Sequence, residues 1–201
     1  MYFTAIIIKK NLAMAWIDYW KAYDMLSHSW FLERLKDLAV NEEIRRLLKE
    51  TMKSWRVELT CAQEVLGEVK IMIGIFQGDS LSPLLFVSAM IPLTHILRKS
   101  KPGYEFFGCG EKINHLLYMD DFKLYSKNEK ELDSLIQTIR VFSQGIRMEF
   151  GIDKCATIVL KRGKLVKSDG IKLPDGREIK LLNEGDGYKY LGVTDADEII
   201  R

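Results

Sequence analysis

Apolar positions along the chain form either continuous runs or sets spaced by three and four residues. Residues 12–19 form a continuous run with little alternation. Such a run predicts a central strand covered on both faces, and this strand would place Asp18 at its end. Two sets at helical spacing follow, over residues 31–39 and 44–55, and predict two amphipathic helices separated near Asn41.

The rest of the chain continues to mix short strands with helices. Residues 56–60 and 68–73 have the pattern of two short strands, and Ser82-Pro83 predicts the start of a helix that reaches about Arg98. Residues 113–118 and 122–126 predict a hairpin with Met119-Asp120-Asp121 at its tip. Residues 132–142 predict a helix, residues 156–160 a strand, and Pro174-Asp175-Gly176 a turn between two further strands.

These elements lack the regular β-α-β rhythm of a parallel sheet. They favour an α+β architecture, with an antiparallel sheet, helices packed on one face and a C-terminal β-hairpin. Neither an internal repeat nor a Pro/Ser-rich linker divides the 201 residues. We therefore expect one domain over residues 1–201, large enough to bury roughly 70% of the surface of its unfolded chain.

Composition places the chain among globular proteins, with 47% apolar and 29% charged residues. The 30 basic and 28 acidic residues nearly cancel, so a surface that binds nucleic acid must be local. Two basic clusters are candidates for phosphate contacts, and solvated loops are the alternative for both. They consist of Arg98, Lys99 and Lys101, and of Lys161, Arg162, Lys164 and Lys167.

Cysteine and histidine usage argues against a zinc or redox centre. Cys61, Cys109 and Cys155 are scattered without a C-x-x-C pair, which favours a reducing, intracellular environment. The three histidines show no metal-ligand spacing. The apolar run over residues 84–97 is shorter than the ~18 residues that span a bilayer, so we expect a buried helix and no membrane partner.

Three carboxyl groups stand at the ends of predicted strands: Asp18 after the first, and Asp120 and Asp121 between two others. Two-metal nucleotidyl transfer needs carboxylates that converge from separate segments, because Mg²⁺ prefers oxygen ligands. Aspartate is also common in ordinary hairpin turns, and a plain turn is the alternative. An aromatic residue and a methionine before the two acids favour a functional tip. Clustered carboxylates without metal should also show a raised pKa.

Tyr118-Met119-Asp120-Asp121 is similar to motif C of reverse transcriptases, and the other motifs of that family follow in order. Residues 15–24 resemble motif A, and residues 74–86 resemble motif B through Gln77-Gly78 and Ser82-Pro83. Residues 150–154 and 190–193 are similar to motifs D and E. The five matches span residues 15–193. Lys-Ala-Tyr-Asp in motif A and Leu-Gly in motif E favour non-LTR, LINE-type retroelements over retroviral enzymes.

The resemblance implies a polymerase palm that extends a DNA primer on an RNA template with dNTPs. Asp18, Asp120 and Asp121 would hold two Mg²⁺ ions, with Mn²⁺ as a possible substitute, to activate the primer 3′-hydroxyl and neutralise the triphosphate. Asp121 has the weakest claim, because neighbours on an extended chain point in opposite directions. Members of this family are expected in the nucleus, associated with chromosomes.

The same resemblance implies a nucleotide-binding set. Tyr23 takes the position of the steric gate that excludes a 2′-hydroxyl, with core packing as the alternative. Gln77 and Gly78 would lie beside the incoming nucleotide and the template base, although a turn and helix cap would need the same residues. Lys154 matches the motif D lysine that stabilises or protonates pyrophosphate, and a solvated lysine is its alternative.

Several departures from the family pattern qualify this interpretation. Ile73 stands where a basic residue is usual before motif B, and Trp20 stands where motif A is usually polar. Only seventeen residues precede Asp18, so the fingers, thumb and endonuclease regions that normally act in cis are expected to be absent or truncated. The alternative function is an inactive, truncated retroelement remnant that at most binds nucleic acid. A phosphate-accepting receiver domain is disfavoured, because its acidic pair lies early and on a parallel sheet.

Overall fold

The computed structural model describes residues 5, 9–105, 110–168, 170–184 and 186–194. The chain divides into two compact units. The first unit consists of Met1–Trp20, Leu93–Gly145 and Glu149–Arg201, and the second consists of Lys21–Pro92 and Ile146–Met148. All three predicted carboxylates and Lys154 belong to the first unit, whereas Tyr23, Gln77 and Gly78 belong to the second.

Strands and helices alternate irregularly along the chain, as predicted. In order they are β1 (Leu12–Ile17), α1 (Ala22–Met25), α2 (His28–Asp37), α3 (Glu42–Lys53), β2 (Arg56–Cys61), β3 (Glu64–Lys70), α4 (Ser82–Lys99), β4 (Tyr104–Glu105), β5 (Lys112–Ile113), β6 (His115–Tyr118), β7 (Asp121–Ser126), α5 (Glu129–Gly145), a 3-10 turn (Ile152–Lys154), β8 (Ala156–Lys161), β9 (Lys164–Leu165), β10 (Ile171–Lys172), β11 (Glu178–Leu181), β12 (Lys189–Tyr190) and β13 (Val193–Thr194).

A sheet in the order β10-β11-β8-β1-β7-β6, with β9 paired to β8, forms the centre of the first unit. β1 is buried along its whole length, which confirms the strand predicted from its continuous apolar run. The expected antiparallel sheet is found with one exception, because β11 pairs with β8 in parallel. The chain reverses direction between β8 and β9 and again between β10 and β11. After these two reversals, β11 runs in the same direction as β8.

Side chains from β1 point alternately to the two faces of the sheet. On one face α5 packs with its buried Leu132, Leu135, Ile136 and Ile139, the helical set expected from the sequence. The other face carries an apolar cluster that includes Met14 and Trp16 of β1 and is covered partly by Tyr188. The α+β prediction, with a helix on one face, is therefore confirmed.

In the second unit, α2 and α3 confirm the two helices predicted around Asn41, whose side chain accepts a hydrogen bond from the Glu43 N–H at 2.7 Å. β2 and β3 form a separate two-stranded hairpin. β3 begins at Glu64 rather than near residue 68, because Ala62 and Gln63 adopt positive φ angles of 48° and 69° and close a two-residue turn.

The helix predicted from Ser82-Pro83 is α4, which ends one residue beyond the expected Arg98. Among the described residues, no helix is long and apolar enough to cross a membrane. Cys61 and Cys155 are free thiols, exposed and buried respectively. Cys109 lies outside the described residues.

Candidate active site

A two-residue turn forms the tip of the predicted acidic hairpin. β6 and β7 pair up to Tyr118 and Asp121, so Met119 and Asp120 are the two turn residues, and Asp121 already belongs to β7. Met119 has a φ of 54°, in the left-handed region that two-residue turns usually assign to glycine, asparagine or aspartate. A non-glycine residue in this conformation is strained, and such strain is concentrated at functional sites.

Asp18 lies beside this tip because β1 and β7 are neighbouring strands. Their last pair is Ile17 with Phe122, and the next residues along the two strands are Asp18 and Asp121. The sequence predicted that Asp18 meets the acidic hairpin if their strands are neighbours. In the first unit the strands are neighbours, and Asp18 lies beside the hairpin tip.

The backbone of Asp18 is held by the loop after α5. Its carbonyl accepts a hydrogen bond from the Gly151 N–H at 2.9 Å and another from the Cys155 thiol at 3.7 Å. The Trp20 N–H donates to the Glu149 carbonyl at 2.9 Å. These bonds join the motif A and motif D segments and fix where the Asp18 side chain begins.

The carboxyl group of Asp18 is poorly satisfied. Its side chain is 15% exposed, and Oδ1 is buried without a hydrogen-bond partner among the described residues. The Lys154 ammonium lies 3.4 Å from the same oxygen as an ion pair and favours the ionised carboxyl group. Lys154 compensates the burial of this oxygen only in part, because the pKa of Asp18 is still raised.

Burial and neighbouring charge raise the pKa of two of the carboxyl groups. For Asp18 the largest cause is burial; Lys154 lowers its pKa and Asp120 raises it. For Asp121 burial again raises the pKa most, followed by the charges of Asp120 and Asp18. The expected raised pKa is confirmed, and the three carboxylates form one electrostatically coupled set.

The carboxylate oxygens of Asp18, Asp120 and Asp121 are suitable ligands for Mg²⁺. No group of three or more acidic, histidine or cysteine side chains in the described parts of the chain is closed enough to hold an ion by itself. Magnesium sites at phosphates need no such cage, since one or two carboxylates, waters and substrate oxygens complete the coordination. A divalent cation would stabilise the partly buried Asp18 carboxylate and reduce the mutual repulsion of the three carboxylates.

Lys154 is the last residue of the 3-10 turn, with its side chain 72% exposed. Its carbonyl accepts a hydrogen bond from the Tyr188 hydroxyl at 2.6 Å. The Tyr188 ring stacks on Trp16 of β1, with ring centroids 4.8 Å apart. Tyr188 therefore connects the C-terminal segment to the loop that carries Lys154.

Sequence reasoning assigned no role to Tyr188. The signal that could have found it is the Tyr-Lys-Tyr alternation before Leu191, which puts two aromatic rings on one side of an extended segment. The Lys123 ammonium lies 5.3 Å from the Trp16 ring and 5.2 Å from the Tyr190 ring, so both aromatic residues of that segment belong to one cluster.

In the second unit, the segments of motifs A and B are joined directly. The Ile75 N–H donates to the Tyr23 carbonyl at 2.8 Å, and the Tyr23 ring stacks on Phe86 with centroids 5.2 Å apart and planes 7° apart. His28, to which the sequence assigned no chemistry, donates from Nε2 to the Gly74 carbonyl at 2.6 Å. Tyr23 is thus half-buried and held flat against a motif B helix.

Gln77 and Gly78 are both exposed and occupy a turn. Gly78 has a φ of 88°, and an added Cβ would have no atom within 4 Å, so backbone conformation rather than crowding favours glycine there. The two departures from the family pattern, Ile73 and Trp20, are 42% and 50% exposed, so neither residue is required by the core.

Comparison with known families identifies one model that covers almost the whole chain. It is described as "Reverse transcriptase (RNA-dependent DNA polymerase)" and matches residues 4–195. A retrovirus-related Pol polyprotein from type-1 retrotransposable element R2 of Nasonia vitripennis is 29% identical over 190 residues, which are 92% of this chain and 18% of that protein. The corresponding R2 polyprotein of Popillia japonica is 26% identical over 89% of this chain and 30% of its own length. The chain spans less than a third of either relative.

Solved structures show the same fold. Apo telomerase from Candida tropicalis truncated from the C-terminal domain has a TM-score of 0.60 at 14% identity, covering 83% of this chain and 38% of the other. Telomerase from Candida albicans, in complex with a TWJ fragment of telomeric RNA, also has a TM-score of 0.60, at 18% identity and over 86% and 30% of the two chains. These likenesses confirm the polymerase-palm type of fold.

Proposed function

The chain belongs to the reverse transcriptase (RNA-dependent DNA polymerase) family, of the non-LTR retroelement type, and we propose that it extends a DNA primer on an RNA template by two-metal nucleotidyl transfer. The observation that carries this proposal is the convergence of Asp18 with Asp120 and Asp121, in which the buried Oδ1 of Asp18 has the Lys154 ammonium at 3.4 Å as its charged partner. An ion pair with one lysine compensates only part of the cost of burying and clustering these carboxylates, and bound cations would compensate more of it.

Asp18, Asp120 and Asp121 are the proposed metal-binding residues. Two Mg²⁺ ions, or Mn²⁺ in their place, would supply the Lewis acidity that activates the primer 3′-hydroxyl and the charge that neutralises the triphosphate. The ladder between β1 and β7 fixes the backbone of Asp18 relative to that of Asp121 before any ligand arrives. Little reorganisation is then needed on binding, which favours catalysis.

Lys154 has two roles in this proposal. Its ammonium is 3.4 Å from Asp18 and stabilises the ionised form of that carboxyl group, since it lowers the pKa of Asp18. Because the Lys154 side chain is also largely exposed, its ammonium group would be available to the pyrophosphate leaving group, which it would stabilise by charge or by donating a proton.

Tyr23, Gln77 and Gly78 are the proposed nucleotide-binding residues. A ring held by stacking on Phe86 has little freedom to move aside, and a rigid ring is what exclusion of a 2′-hydroxyl requires. The left-handed backbone at Gly78 allows a close approach of main chain to a base or sugar.

The proposed partners are an RNA template, a DNA primer and dNTPs. We further propose that fingers, thumb and endonuclease regions act in cis from the remainder of a longer polyprotein, because the chain spans less than a third of the relatives described above. A nuclear, chromosome-associated location is the corresponding expectation for the element.

Metal titration and primer extension test the proposal together. We expect Asp18→Asn and Asp120→Asn to weaken Mn²⁺ binding and to reduce extension on an RNA template by roughly a thousandfold, the loss expected for several kcal/mol of transition-state stabilisation. Asp153→Asn is the matched control, since Asp153 is an exposed aspartate on the same loop as Lys154. Equal Mn²⁺ affinity in the wild type and in Asp18→Asn would contradict the metal assignment.

A second candidate is the inactive remnant that only binds nucleic acid. It is favoured by the departures from the family pattern at Ile73 and Trp20. This candidate predicts RNA binding without Mn²⁺ binding at Asp18, and template-dependent synthesis that depends on Asp120 would exclude it.

A further inference from the structure

A concentration of lysines lies at the end of the first unit's sheet opposite to Asp18. β8 starts beside Trp16 and runs away from the carboxylates, so that Leu160 pairs with Leu12 at the far end of β1. Six residues of extended chain separate Leu12 from Asp18, a span of roughly 20 Å. Groups around Lys161 are therefore far from the catalytic carboxylates.

An open cavity of about 550 Å³ extends from this end to Lys172 of β10, which the register of β10, β11 and β8 places nearer to the Asp18 end. Segments before β10, at the end of β8 and at the start of α5 contribute to it, and its charged lining contains four lysines and two acids. They are Lys130, Lys161, Lys167, Lys172, Glu129 and Asp133. Asp169 lies outside the described residues.

The lysines of this cavity outnumber its two acids, and none of the four lysines forms an ion pair within the described parts of the chain. Of the two acids, Asp133 accepts a hydrogen bond from the Gln137 side chain at 3.1 Å. Folding has thus brought together cationic groups from segments about thirty residues apart, with an excess of positive charge. A bound polyanion would stabilise such a cluster.

A second cavity, of about 470 Å³, lies on the other side of the start of α5. It also has four lysines and two acids in its lining, namely Lys10, Lys101, Lys112, Lys127, Glu105 and Glu131. Lys127 pairs with Glu131 at 2.9 Å. We call the lysines of the two cavities other than Lys172 the basic end.

The turn between β8 and β9 adds two more cations, Arg162 and Lys164, to the basic end. The Arg162 N–H donates to the Asn11 side chain at 2.8 Å, and the Gly163 N–H donates to the Lys10 carbonyl at 3.0 Å. These bonds hold the turn against the segment before β1. The basic residues 161–167 that stood out in the sequence are therefore part of an ordered surface and not of a loose loop.

We propose that the basic end binds the phosphate backbone of a polynucleotide, outside the template and primer held at the carboxylates. Lysines spread over two neighbouring cavities match a chain of phosphates better than a single anion. An anionic membrane surface would need exposed large apolar side chains beside the lysines, and the described residues of both cavities contain none. The proposal does not depend on the metal assignment.

Fluorescence anisotropy with a labelled single-stranded RNA, and with DNA of the same sequence, tests this surface. We expect replacement of Lys130, Lys161, Lys164 and Lys167 by alanine to weaken binding about tenfold and to reduce the salt slope of log K by about three, since each lost contact on a single strand removes ~0.7. The control replaces Lys36, Lys49, Lys53 and Lys70, four exposed lysines of the second unit, with the same change in charge.

Equal losses in the two fourfold variants would overturn the proposal, because binding would then follow net charge alone. It would also be overturned if the basic-end variant lost binding to phosphatidylserine vesicles but kept its RNA and DNA affinity. A parallel loss for RNA and DNA supports backbone recognition, and a loss for RNA alone assigns the surface to RNA. The basic-end variant should still bind Mn²⁺, and Asp120→Asn should still bind RNA. The two measurements therefore distinguish an error in the basic-end proposal from an error in the metal assignment.

Discussion

Asp18 and Gly151 are packed so closely that a Cβ atom on Gly151 would lie 3.0 Å from Oδ1 of Asp18. The same two residues share a backbone hydrogen bond, from the Gly151 N–H to the Asp18 carbonyl at 2.9 Å. The motif D loop thus fixes the backbone of Asp18, and a side chain at residue 151 would require the Asp18 carboxyl group to shift by a few tenths of an ångström.

Gly151→Ala should therefore displace the Asp18 carboxyl group and weaken Mn²⁺ binding by about tenfold to a hundredfold, a loss typical of disturbed positioning around a metal ligand. Calorimetric titration with Mn²⁺ measures it. Gly145→Ala is the matched control, because an added Cβ at Gly145 would meet no atom within 4 Å. Unchanged affinity in Gly151→Ala would show that the carboxyl group adapts freely.

In the metal-free protein, Asp18 and Asp121 should each make a contribution to stability that is lost as pH rises through the acidic range, whereas carboxyl groups with a lowered pKa, such as Asp175 and Asp186, act in the opposite sense. The pKa values of Asp18 and Asp121 are raised above the ordinary 3.8, so the folded chain holds protons that the unfolded chain releases. Their stabilising contribution is complete below the ordinary pKa and is lost as pH rises through the raised values. Urea unfolding across this range measures the free energy of unfolding.

Asp18→Asn should reduce this loss of stability, since asparagine carries no charge at any of these pH values. Added Mg²⁺ should restore stability at neutral pH to the wild type more than to Asp18→Asn. The raised pKa values would be contradicted if the free energy of unfolding changed with pH in the same way for the wild type and for Asp18→Asn.

Replacement of Lys154 should shift the acidic side, or acid limb, of the curve of primer-extension activity against pH. The Lys154 charge lowers the pKa of both Asp18 and Asp121, so Lys154→Met should raise both pKa values and shift the acid limb to higher pH. Lys154→Arg keeps the charge and should keep the limb near its original position. Primer extension as a function of pH measures the shift, and coincident acid limbs for Met and Arg would count against an electrostatic role.

Tyr188→Phe removes the hydroxyl group that donates to the Lys154 carbonyl and keeps the ring that stacks on Trp16. We expect a loss of about 1 kcal/mol in the free energy of unfolding and a severalfold lower kcat with a smaller change in KM. Tyr188→Leu also removes the stack and should cost more in both quantities. A kcat equal to wild type in Tyr188→Phe would exclude a positioning role for the hydroxyl group.

Tyr23→Ala should relax discrimination between dNTPs and rNTPs by about tenfold or more, because the ring proposed to block the 2′-hydroxyl is gone. Tyr23→Phe keeps the ring and its stack on Phe86, and should discriminate as the wild type does. Single-nucleotide incorporation with each substrate measures the ratio. If both variants lost discrimination equally, the hydroxyl group and not the ring would be responsible.

Much of the fold could be predicted because its signals are local. The continuous apolar run of β1 requires burial on both faces, and the acidic tip between two apolar runs requires a hairpin. The parallel pairing of β11 with β8 was not predicted, because it depends on the path of the chain between Lys161 and Glu178 and not on either strand's own pattern.

The candidate site divides in the same way. Asp18, Asp120, Asp121 and Lys154 stood out by residue type and motif order. Hydrophobic periodicity shows which side of a helix or strand is buried, but not which distant residue packs against it. The contact of Gly151 with Asp18 and the hydrogen bond from Tyr188 to Lys154 were therefore not predicted.

The sequence alone determined the family, the order of the elements and the identity of the acidic residues, because these depend on local patterns and motif spacing. Only the tertiary structure decided that an Asp18 oxygen is buried without a hydrogen-bond partner, and that lysines near residues 130 and 170 share one cavity. Burial and charge proximity arise from packing between distant segments, and no local pattern encodes the distance between two such groups.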